Sequence, residues 1–285
     1  MGLNHIKVNK VSVLIANYNN GKYFRDCYDS IISQSYENWE AIIIDDCSTD
    51  DSVKIIKEII KDDERFKFYE NETNQGCGYT KRKCIDLATG DFCAFLDPDD
   101  ALLYYSLECS MDEFQKHSKI IAAYSQLVFC DENLKPKDTF TKIKQIRNGK
   151  YFFNCPIQIS AFFVFKKEAY MKTSGINPSL KNAVDQDLYL KLLEIGDAKF
   201  IEEVLYKYRL HSNGISQDKS KQSAKDSFAK VIFEAIKRRN IKQINHKLVP
   251  EFYTNAEEIY SLLDYQTKIS YRLMSRIKST LNLNI

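Results

Sequence analysis

An apolar run that stops in a cluster of carboxylates places the strongest constraint on how this chain of 285 residues folds. Residues 92–96 carry no polar side chain apart from one cysteine thiol, a pattern typical of a strand covered on both faces, as in a parallel sheet. Asp97, Pro98, Asp99 and Asp100 follow at once. The pattern therefore predicts a central strand of an α/β sheet whose carboxyl end carries concentrated negative charge.

Three carboxylates so close together are unfavourable unless a cation or hydrogen-bond donors neutralise them. Mg²⁺ or Mn²⁺ suits such a place, because hard divalent ions bind one or two carboxylates and complete their coordination with water and phosphate oxygens. In open α/β sheets, ligands bind beyond the carboxyl ends of the strands. The alternative for an isolated Asp-rich turn is a solvated loop, so the neighbouring segments decide between the two interpretations.

Strand and helix patterns alternate along residues 1–217. Apolar and β-branched segments predict strands at 11–15, 39–44, 66–69, 92–96, 121–129, 160–165 and 199–208. Helical patterns predict helices at 22–34, 51–60, 79–88, 104–116 and 185–194. This alternation predicts a Rossmann-like, mainly parallel central sheet flanked by helices and joined by right-handed crossovers.

Two further segments fall outside the alternating pattern. Residues 131–156 are polar and irregular, which predicts a loop or a small flap over the site. Residues 218–285 read as helical with a break at Pro250, which predicts a C-terminal helical extension. We therefore divide the chain into an α/β domain, 1–217, and an extension, 218–285.

Composition narrows the possible classes of protein. No stretch approaches the 18 or so apolar residues of a membrane span, and residues 1–10 are polar, so we expect a cytoplasmic protein. The eight cysteines form no Cys-x-x-Cys motif, which argues against a zinc site or a disulfide frame. Residues 218–285 hold 13 Lys and Arg against 7 Asp and Glu. Such a basic segment suits an anionic surface or a solvated helix face, and we expect no nucleic-acid partner.

The end of the chain carries a basic amphipathic pattern near helical spacing. Its apolar members are Leu262, Ile269, Leu273 and Ile277, and its basic members are Lys268, Arg272, Arg276 and Lys278. Helices of this type bind anionic membrane interfaces through both burial of the apolar side chains and attraction of the basic ones. The interface expected here is the inner face of the membrane. The alternative is a helix that docks on the α/β domain through the same apolar stripe.

Five segments, taken in order, resemble the successive signatures of family 2 glycosyltransferases of the GT-A fold. They read VSVLIANYN, WEAIIIDDCSTDDS, NQGCGYTKRKCIDLATGDFCAFLDPDD, VDQDLYLKLLEIG and YRLHSNGIS. The resemblance covers roughly residues 11–216 and makes residues 1–217 the catalytic domain. It implies an inverting transfer, usually metal-dependent, of a sugar from a nucleotide diphosphate donor to a glycan or lipid-linked acceptor, as in surface polysaccharide synthesis.

The resemblance also implies a metal site. Asp99 matches the principal metal ligand of the family, and Asp97 matches its companion nearer the ribose or sugar of the donor. Asp100 either aids the donor or caps the next helix. His211 matches a histidine that reaches the metal or the diphosphate in many members. A lone histidine is usually not a ligand, but neutral imidazole suits Mn²⁺ and protonated imidazole suits phosphate.

In the same way, two segments match the place where the family holds the nucleotide base. Ala16, Asn17 and Tyr18 lie in the first, and Asp45 and Asp46 lie in the second. Asp46 aligns with the carboxylate that accepts the uracil N–H, and Asp45 supports it. Such an acceptor suits uracil, thymine or guanine but not adenine, so a UDP-sugar is the favoured donor. The alternative role for Asp46 is a helix cap.

Lys81 aligns with an arginine that is usual in the family. Either Lys81 or Arg82 is expected to contact the base or the pyrophosphate. Lysine is a point charge and cannot give the planar bidentate contact of arginine, so the resemblance does not decide between the two residues.

Asp185 matches the catalytic base of the family. Val184 replaces the glutamate that usually precedes it, which removes a like charge beside Asp185. Asp187 is the alternative base, although on a helix it points about 200° away from Asp185.

Two rival functions are considered beside the glycosyltransferase. A nucleotidyltransferase also uses carboxylate-bound Mg²⁺, but neither Gly-x-Gly-x-x-Gly nor a P-loop motif occurs in the sequence. A non-catalytic binding or scaffolding protein of the same fold is supported only by the departures at Ala16, Lys81 and Val184. Retention of the aspartates argues against that second rival.

Overall fold

The computed structural model describes residues 9–211, 221–268 and 271. Its strands are β1 Val11–Asn17, β2 Trp39–Asp45, β3 Phe66–Glu70, β4 Phe92–Phe95, β5 Ala101–Leu102, β6 Ala122–Cys130, β7 Pro136–Thr139, β8 Phe163–Lys166, β9 Ala198–Arg209, β10 Gln243–Ile244 and β11 Lys247–Leu248. Its α-helices are α1 Phe24–Ile32, α2 Ser52–Ile60, α3 Cys77–Leu87, α4 Ser106–Lys116, α5 Lys167–Tyr170, α6 Val184–Leu193, α7 Lys221–Arg238 and α8 Ala256–Thr267.

One large sheet orders its strands β3-β2-β1-β4-β8-β6-β9-β5, and β7 pairs with β6 beyond this path. Strands β3, β2, β1 and β4 pair in parallel. Next to them β8 runs antiparallel to both β4 and β6, whereas β9 pairs parallel with β6 and antiparallel with β5. The expected α/β fold is confirmed, but the sheet is mixed rather than mainly parallel.

The connection between β6 and β8 explains the antiparallel strand. A parallel neighbour needs a crossover, usually a helix, that returns the chain to the same end of the sheet. The described segment between β6 and β8 contains β7 and irregular chain but no α-helix. The chain therefore enters β8 at the end of the sheet where β6 finishes, and β8 runs in the opposite direction to β6. The periodicity of the sequence gives no signal for this reversal.

The inner strands of the parallel half, β1, β2 and β4, are buried on both faces, whereas the edge strand β3 is largely exposed. All seven residues of β2 are buried, as are six of the seven in β1. The pairing register sets Asn17 opposite Asp45 and Leu14 opposite Phe95. The carboxyl ends of β1, β2 and β4 consequently lie at one edge of the sheet, where their following loops meet.

Residues 131–156, for which the sequence predicted a loop or a small flap over the site, form strand β7 and irregular chain that packs into the protein. Strand β7 pairs antiparallel with β6. Ile143, Ile146 and Phe153 are buried and join the hydrophobic cores of the protein. Hydrophobic residues spaced too irregularly for a helix or a strand gave no periodic signal, although they contribute to the core.

The C-terminal extension docks on the α/β domain in its described part. Helices α7 and α8 form a second buried cluster together with Phe153 and Leu190. Leu262 belongs to that cluster and is buried. A β10–β11 hairpin interrupts the expected run of helix. No helix in the described ranges is long and apolar enough to cross a membrane.

Several expectations about the extension fall on residues outside the described ranges. The boundary between residues 217 and 218 is one of them. The others concern Ile269, Leu273, Ile277, Arg272, Arg276 and Lys278, the remaining members of the amphipathic pattern. Membrane contact through this pattern therefore stays a prediction.

A buried carboxylate joins three segments at the amino end of the parallel strands. Glu40 accepts hydrogen bonds from Lys10 Nζ at 2.7 Å, Ser12 Oγ at 2.7 Å and the Thr89 backbone N–H at 2.6 Å. Burial by itself would raise the pKa of Glu40, but these donors outweigh it and lower the pKa to about 2. Glu40 is therefore ionised in the folded protein down to low pH.

We predict that Glu40 makes the stability of the fold depend on acid pH. A carboxylate with a lowered pKa stabilises the folded state above its unfolded pKa, and this stabilisation is lost as pH falls from about 4.5 toward about 2. Between pH 6 and pH 3 the free energy of unfolding of the wild type should fall by about 2 kcal/mol more than that of Glu40→Gln. Urea denaturation measures this difference. Exposed Glu58→Gln is the control, and parallel pH profiles for wild type and Glu40→Gln would refute the assignment.

Candidate functional site

The loops after β1, β2 and β4 bring the predicted site residues to the carboxyl edge of the sheet. A separate cavity of about 660 Å³ lies at the opposite, amino edge of β4. Its lining mixes Asp91 and Glu168 with Lys166 and Lys167, and it includes none of the predicted site residues. Ligands of open α/β sheets bind at the carboxyl edge, so the candidate site is there despite the larger cavity elsewhere.

Asp99 and His211 meet at this edge, as the sequence predicted. His211 Nε2 lies 2.7 Å from Asp99 Oδ2. The imidazole is buried and packs against Tyr23, with ring centroids 4.7 Å apart. Its Nδ1 is buried and has no hydrogen-bond partner in the described structure. The pair thus presents one partly exposed carboxylate and a firmly held imidazole.

Asp100 anchors the acidic turn to β9. It is buried, and it accepts hydrogen bonds from Tyr206 Oη and the Arg209 backbone N–H, each at 2.7 Å. Burial, together with the charges of Asp99 and Asp97, raises the pKa of Asp100 well above its usual range. Asp100 therefore holds the turn to β9. It does not cap α4, whose N-cap is Tyr105, and its aid to a donor stays a prediction.

Arg209 supports the same turn, although the sequence did not single it out. Its Nε donates to the Asp99 carbonyl oxygen at 2.6 Å, and its Nη2 lies 2.7 Å from Asp26 Oδ2. The guanidinium carbon lies 4.7 Å from the centroid of the Tyr23 ring. Arg209 and Tyr23 thus hold the backbone of Asp99 and the ring of His211. Only the position of Arg209 two residues before His211 could have drawn attention to it.

Lys81 lies between two carboxylates of the site. Its ammonium is 2.8 Å from Asp185 Oδ1 and 3.3 Å from Asp97 Oδ1. The lysine side chain is 6% exposed, whereas those of Asp185 and Asp97 are 44% and 42% exposed. Burial would lower the pKa of Lys81, but the two carboxylates raise it well above its usual range. Lys81 is therefore a buried cation beneath two carboxylates that face outward.

Asp97 faces Lys81 in this structure, and its role as a metal ligand stays a prediction. Burial raises its pKa, the Lys81 charge opposes that rise, and Asp185 and Asp99 add to it. Its closest charged partner is Lys81, and the His211 imidazole is paired with Asp99 instead. The structure thus groups Asp97 with Asp185 and Lys81.

Asp185 and Asp187 occupy different environments on the first turn of α6. Asp187 is buried, and its Oδ2 accepts hydrogen bonds from Lys191 Nζ at 2.8 Å and from the Asn177 backbone N–H at 2.9 Å. Asp185 keeps an exposed face beside Lys81. The helical offset predicted from the sequence therefore leaves Asp185 as the available carboxylate of the segment.

Arg82 lies away from the acidic turn. Its Nη1 donates to the carbonyl oxygens of Ser174 at 3.3 Å and Ile176 at 3.1 Å. These carbonyls belong to the loop that leads into α6. The structure thus places Arg82 where it holds this loop, and of the two basic candidates only Lys81 lies among the site carboxylates.

The loop after β1 is tied to the end of β2 by a buried amide. Asn17 Nδ2 donates to Asp45 Oδ1 at 2.7 Å, and Asp45 also accepts from the Ser48 backbone N–H at 2.7 Å. Asp45 is fully buried and supports the loops, as expected for a residue behind the base site. Ala16 is half-buried beside it, and the Tyr18 ring is 44% exposed and free to face a ligand.

Asp46 organises the loop that leads to α3. Its carboxylate accepts hydrogen bonds from Asn71 Nδ2 at 2.8 Å, the Gln75 N–H at 2.9 Å and the Gly76 N–H at 2.7 Å. A carboxylate offers about four lone-pair positions, and these three bonds occupy three of them. The alternative of a simple helix cap does not describe this arrangement, because the bonded amides precede the helix.

The donor set of Asp99 and His211 fits a hard or borderline divalent ion. Within the part of the chain that the structure describes, no cluster of three or more His, Cys, Asp or Glu side chains forms a complete metal cage. Mg²⁺ and Mn²⁺ do not need one, because water and phosphate oxygens complete their coordination. Asp99 Oδ2 and His211 Nε2 are 2.7 Å apart, so a small movement of the two side chains away from each other would let both atoms bind one ion.

The fold is that of the GT-A glycosyltransferases, as expected from the sequence, with an Asp-rich turn and a separate exposed aspartate at the carboxyl edge of the sheet. Residues 12–173 match the family model described as Glycosyl transferase family 2. The chain belongs to glycosyl transferase family 2, which confirms the expectation from the sequence.

The chain is similar to two relatives that are named as a synthase and as a biosynthetic glycosyltransferase. The chain is 32% identical over 250 residues to chondroitin synthase of Escherichia coli, an alignment that covers 84% of this chain and 34% of the synthase. It is 30% identical over 221 residues to TuaG of Bacillus subtilis (strain 168), named for teichuronic acid biosynthesis, covering 76% of this chain and 86% of TuaG. The chain thus spans about a third of the length of the chondroitin synthase and most of TuaG.

Solved structures show the same fold. S. aureus TarS in complex with UDP-GlcNAc matches with a TM-score of 0.65 and 19% identity, over 80% of this chain and 66% of the other. The mannosyltransferase PcManGT from Pyrobaculum calidifontis, in complex with GDP-Man and Mn²⁺, matches with a TM-score of 0.59 and 12% identity, over 97% and 81%. At these identities the likeness establishes the fold.

We predict that Asp46→Ala weakens the fold and the base site together. The substitution leaves two partly buried backbone N–H groups and one buried side-chain amide without their charged acceptor, which should lower the free energy of unfolding by about 3 kcal/mol. Urea denaturation measures this loss. Exposed Asp62→Ala should stay within about 0.5 kcal/mol of wild type.

A second comparison separates the loop from the ligand contact. Asn71→Ala removes one support of the loop but keeps the Asp46 carboxylate. If Asp46 accepts a base N–H, calorimetry should show UDP binding at least 10-fold weaker in Asp46→Ala than in Asn71→Ala. Equal affinities in the two variants would limit Asp46 to supporting the loop.

Proposed function

We propose that this protein is an inverting glycosyltransferase that moves a sugar from a UDP-sugar to a glycan or lipid-linked acceptor during surface polysaccharide synthesis. The observation that carries the proposal is the grouping, at one edge of the sheet, of the Asp99–His211 pair with the exposed carboxylate of Asp185. The named functions of TuaG and chondroitin synthase support the polysaccharide pathway.

The nucleotide half of the donor would occupy the loops after β1 and β2. The exposed Tyr18 ring offers a face for base stacking, and the free lone pair of Asp46 suits the N3–H of uracil. Guanine N1–H would satisfy the same acceptor. The complexes of TarS with UDP-GlcNAc and of PcManGT with GDP-Man show that neighbours of this fold take either base. We favour uracil on the alignment of Asp46.

Asp99 and His211 would hold Mn²⁺ or Mg²⁺. When bound there, the ion would act as a Lewis acid that neutralises charge on the departing diphosphate. Asp100, through Tyr206 and Arg209, keeps the acidic turn in place for this purpose. Neighbour PcManGT was solved with Mn²⁺, which supports a divalent ion in this chain as well.

Asp185 would act as the general base. Inversion at the anomeric carbon is a single displacement, so it needs one base to take the proton of the acceptor hydroxyl and no covalent nucleophile on the protein. The exposed face of the Asp185 carboxylate can receive that hydroxyl. Asp187 is less suited to this role, because it is buried and its Oδ2 already accepts from Lys191 and from the Asn177 N–H.

The two rival functions receive less support. The family match and the absence of a phosphate-binding loop motif disfavour a nucleotidyltransferase. A scaffolding protein would have no need for an exposed aspartate beside a buried cation and a carboxylate–imidazole pair. For the extension, docking of α7 and α8 supports a packing role. Cytoplasmic location and peripheral membrane contact stay predictions.

We predict that Asp185→Asn lowers kcat for sugar transfer by about 10² to 10⁴, because that is the usual contribution of general base catalysis. Calorimetry should show an affinity for UDP within about 3-fold of wild type, since Asp185 faces the acceptor. Asp187→Asn is the comparison variant. An active Asp185→Asn beside an inactive, folded Asp187→Asn would move the base to Asp187.

We predict that donor turnover depends on a divalent ion and on Asp99. Treatment with EDTA should abolish release of UDP from the donor, and added Mn²⁺ should restore it. Asp99→Ala should lower turnover at least 100-fold, because the leaving diphosphate loses its compensating charge. Exposed Asp112→Ala on α4 should behave as wild type. Turnover that persists in EDTA at the wild-type rate would exclude the metal role.

A further inference from the structure

We propose that Lys81 is a positioning residue that fixes the carboxylate of Asp185 for base catalysis and links it to Asp97 on the donor side. The inference deepens the proposed function, since it takes Asp185 as the base from there. It departs from the sequence expectation that Lys81 contacts the base or the pyrophosphate of the donor.

The geometry of the ammonium supports a positioning role. Lys81 Nζ is 2.8 Å from Asp185 Oδ1 and 3.3 Å from Asp97 Oδ1. One cation therefore satisfies two carboxylates that would otherwise repel each other. Because only Oδ1 of Asp185 is engaged, the second oxygen of that carboxylate can accept the proton of an acceptor hydroxyl.

Aromatic side chains surround the Lys81 ammonium and restrict its position. A small cavity of about 20 Å³ lies beside it, and its aromatic wall consists of Phe95, Phe163, Tyr189 and Tyr206. Lys81 Nζ lies 5.0 Å from the centroid of the Phe95 ring. A buried charge in an aromatic environment is costly unless it is paired, so the lysine is held where the two carboxylates are. The same pairing fixes Asp185.

The helix that carries Lys81 is itself joined to the segment that carries Asp185. Gly78 N donates to the Leu180 carbonyl oxygen at 2.9 Å, and a Cβ at Gly78 would lie 2.6 Å from that same oxygen. Arg82 holds two further carbonyls of the loop before α6. Positions 78, 81 and 82 share one face of α3, because residues three and four apart are helical neighbours. This face of α3 thus holds the segment that carries Asp185, the proposed general base.

The two possible roles of Lys81 predict different kinetic changes. A diphosphate ligand contributes to donor affinity. A residue that holds the base contributes to the transfer step and leaves donor affinity nearly unchanged. Both roles place a cation near the donor, so a loss of activity on removal of the charge does not distinguish them. Separate measurements of kcat and of nucleotide affinity do distinguish them.

The experiment combines Lys81 and Asp185 variants of the full chain. Lys81→Met keeps the length of the side chain and removes the charge, Lys81→Arg keeps the charge, and Lys116→Met on α4 is the exposed control. UDP release is measured with UDP-GlcNAc, UDP-Glc, UDP-Gal and UDP-GlcA in Mn²⁺, and UDP affinity is measured by calorimetry. We expect Lys81→Met to lower kcat about 100-fold with UDP affinity within 3-fold of wild type, and Lys81→Arg to recover to within 10-fold.

A double-mutant cycle decides whether Lys81 acts through Asp185. In the Asp185→Asn background, Lys81→Met should change kcat by less than 3-fold, because the carboxylate that it positions is gone. Independent, multiplicative losses would overturn the inference. A loss of UDP affinity of 10-fold or more in Lys81→Met, with kcat retained, would overturn it in favour of a diphosphate ligand.

Stability measurements test the inference independently of the proposed function. The same four proteins, unfolded in urea, should show coupling between positions 81 and 185 whether or not any donor is turned over. A wild type that turns over no nucleotide sugar would count against the proposed function, and the coupling would still decide the pairing of Lys81 with Asp185. Zero coupling would overturn the inference. Lys81→Gln replaces Lys81→Met if the latter does not fold.

Discussion

The alignment of three parallel strand ends is the constraint on which the site depends. Pairing of β1 with β2 and β4 sets Asn17 opposite Asp45 and Leu14 opposite Phe95, so the following loops leave the sheet side by side. The loops after β1 and β2 and the acidic turn after β4 therefore meet at this edge without the help of another strand or helix. Strand β9 is then attached to the acidic turn through the buried carboxylate of Asp100, and this attachment delivers His211 to Asp99.

Charge compensation organises the rest of the site. Each buried carboxylate near the edge has its own donors: Asp45 has Asn17 and Ser48, Asp46 has the amides of the loop before α3, and Asp100 has β9. Asp97, Asp99 and Asp185 keep exposed surface, and a chemical role is proposed for two of them, Asp99 and Asp185. Asp99 pairs with an imidazole and Asp185 with a buried ammonium. Burial and pairing thus separate the supporting aspartates from the reactive ones, although both groups lie in the same sequence motifs.

Much of this arrangement could be predicted from the sequence, because the strands of the parallel half are apolar runs and the aspartates follow them directly. The different environments of Asp185 and Asp187 agree with their offset of about 200° on a helix. The antiparallel entry of β8 could not be predicted, since strand direction depends on a long irregular connection. Nor could the partners of Lys81 and Arg82, because adjacent basic residues on a helix differ only in which neighbour each meets in the folded protein.

The most direct test of the account is a crystal structure of the protein with UDP and Mn²⁺. The account predicts uracil against Tyr18 with its N3–H on Asp46, the ion on Asp99 and His211 beside the diphosphate, and Lys81 still paired with Asp185. A diphosphate bound at the amino edge of β4, or an ion coordinated away from the acidic turn, would contradict it.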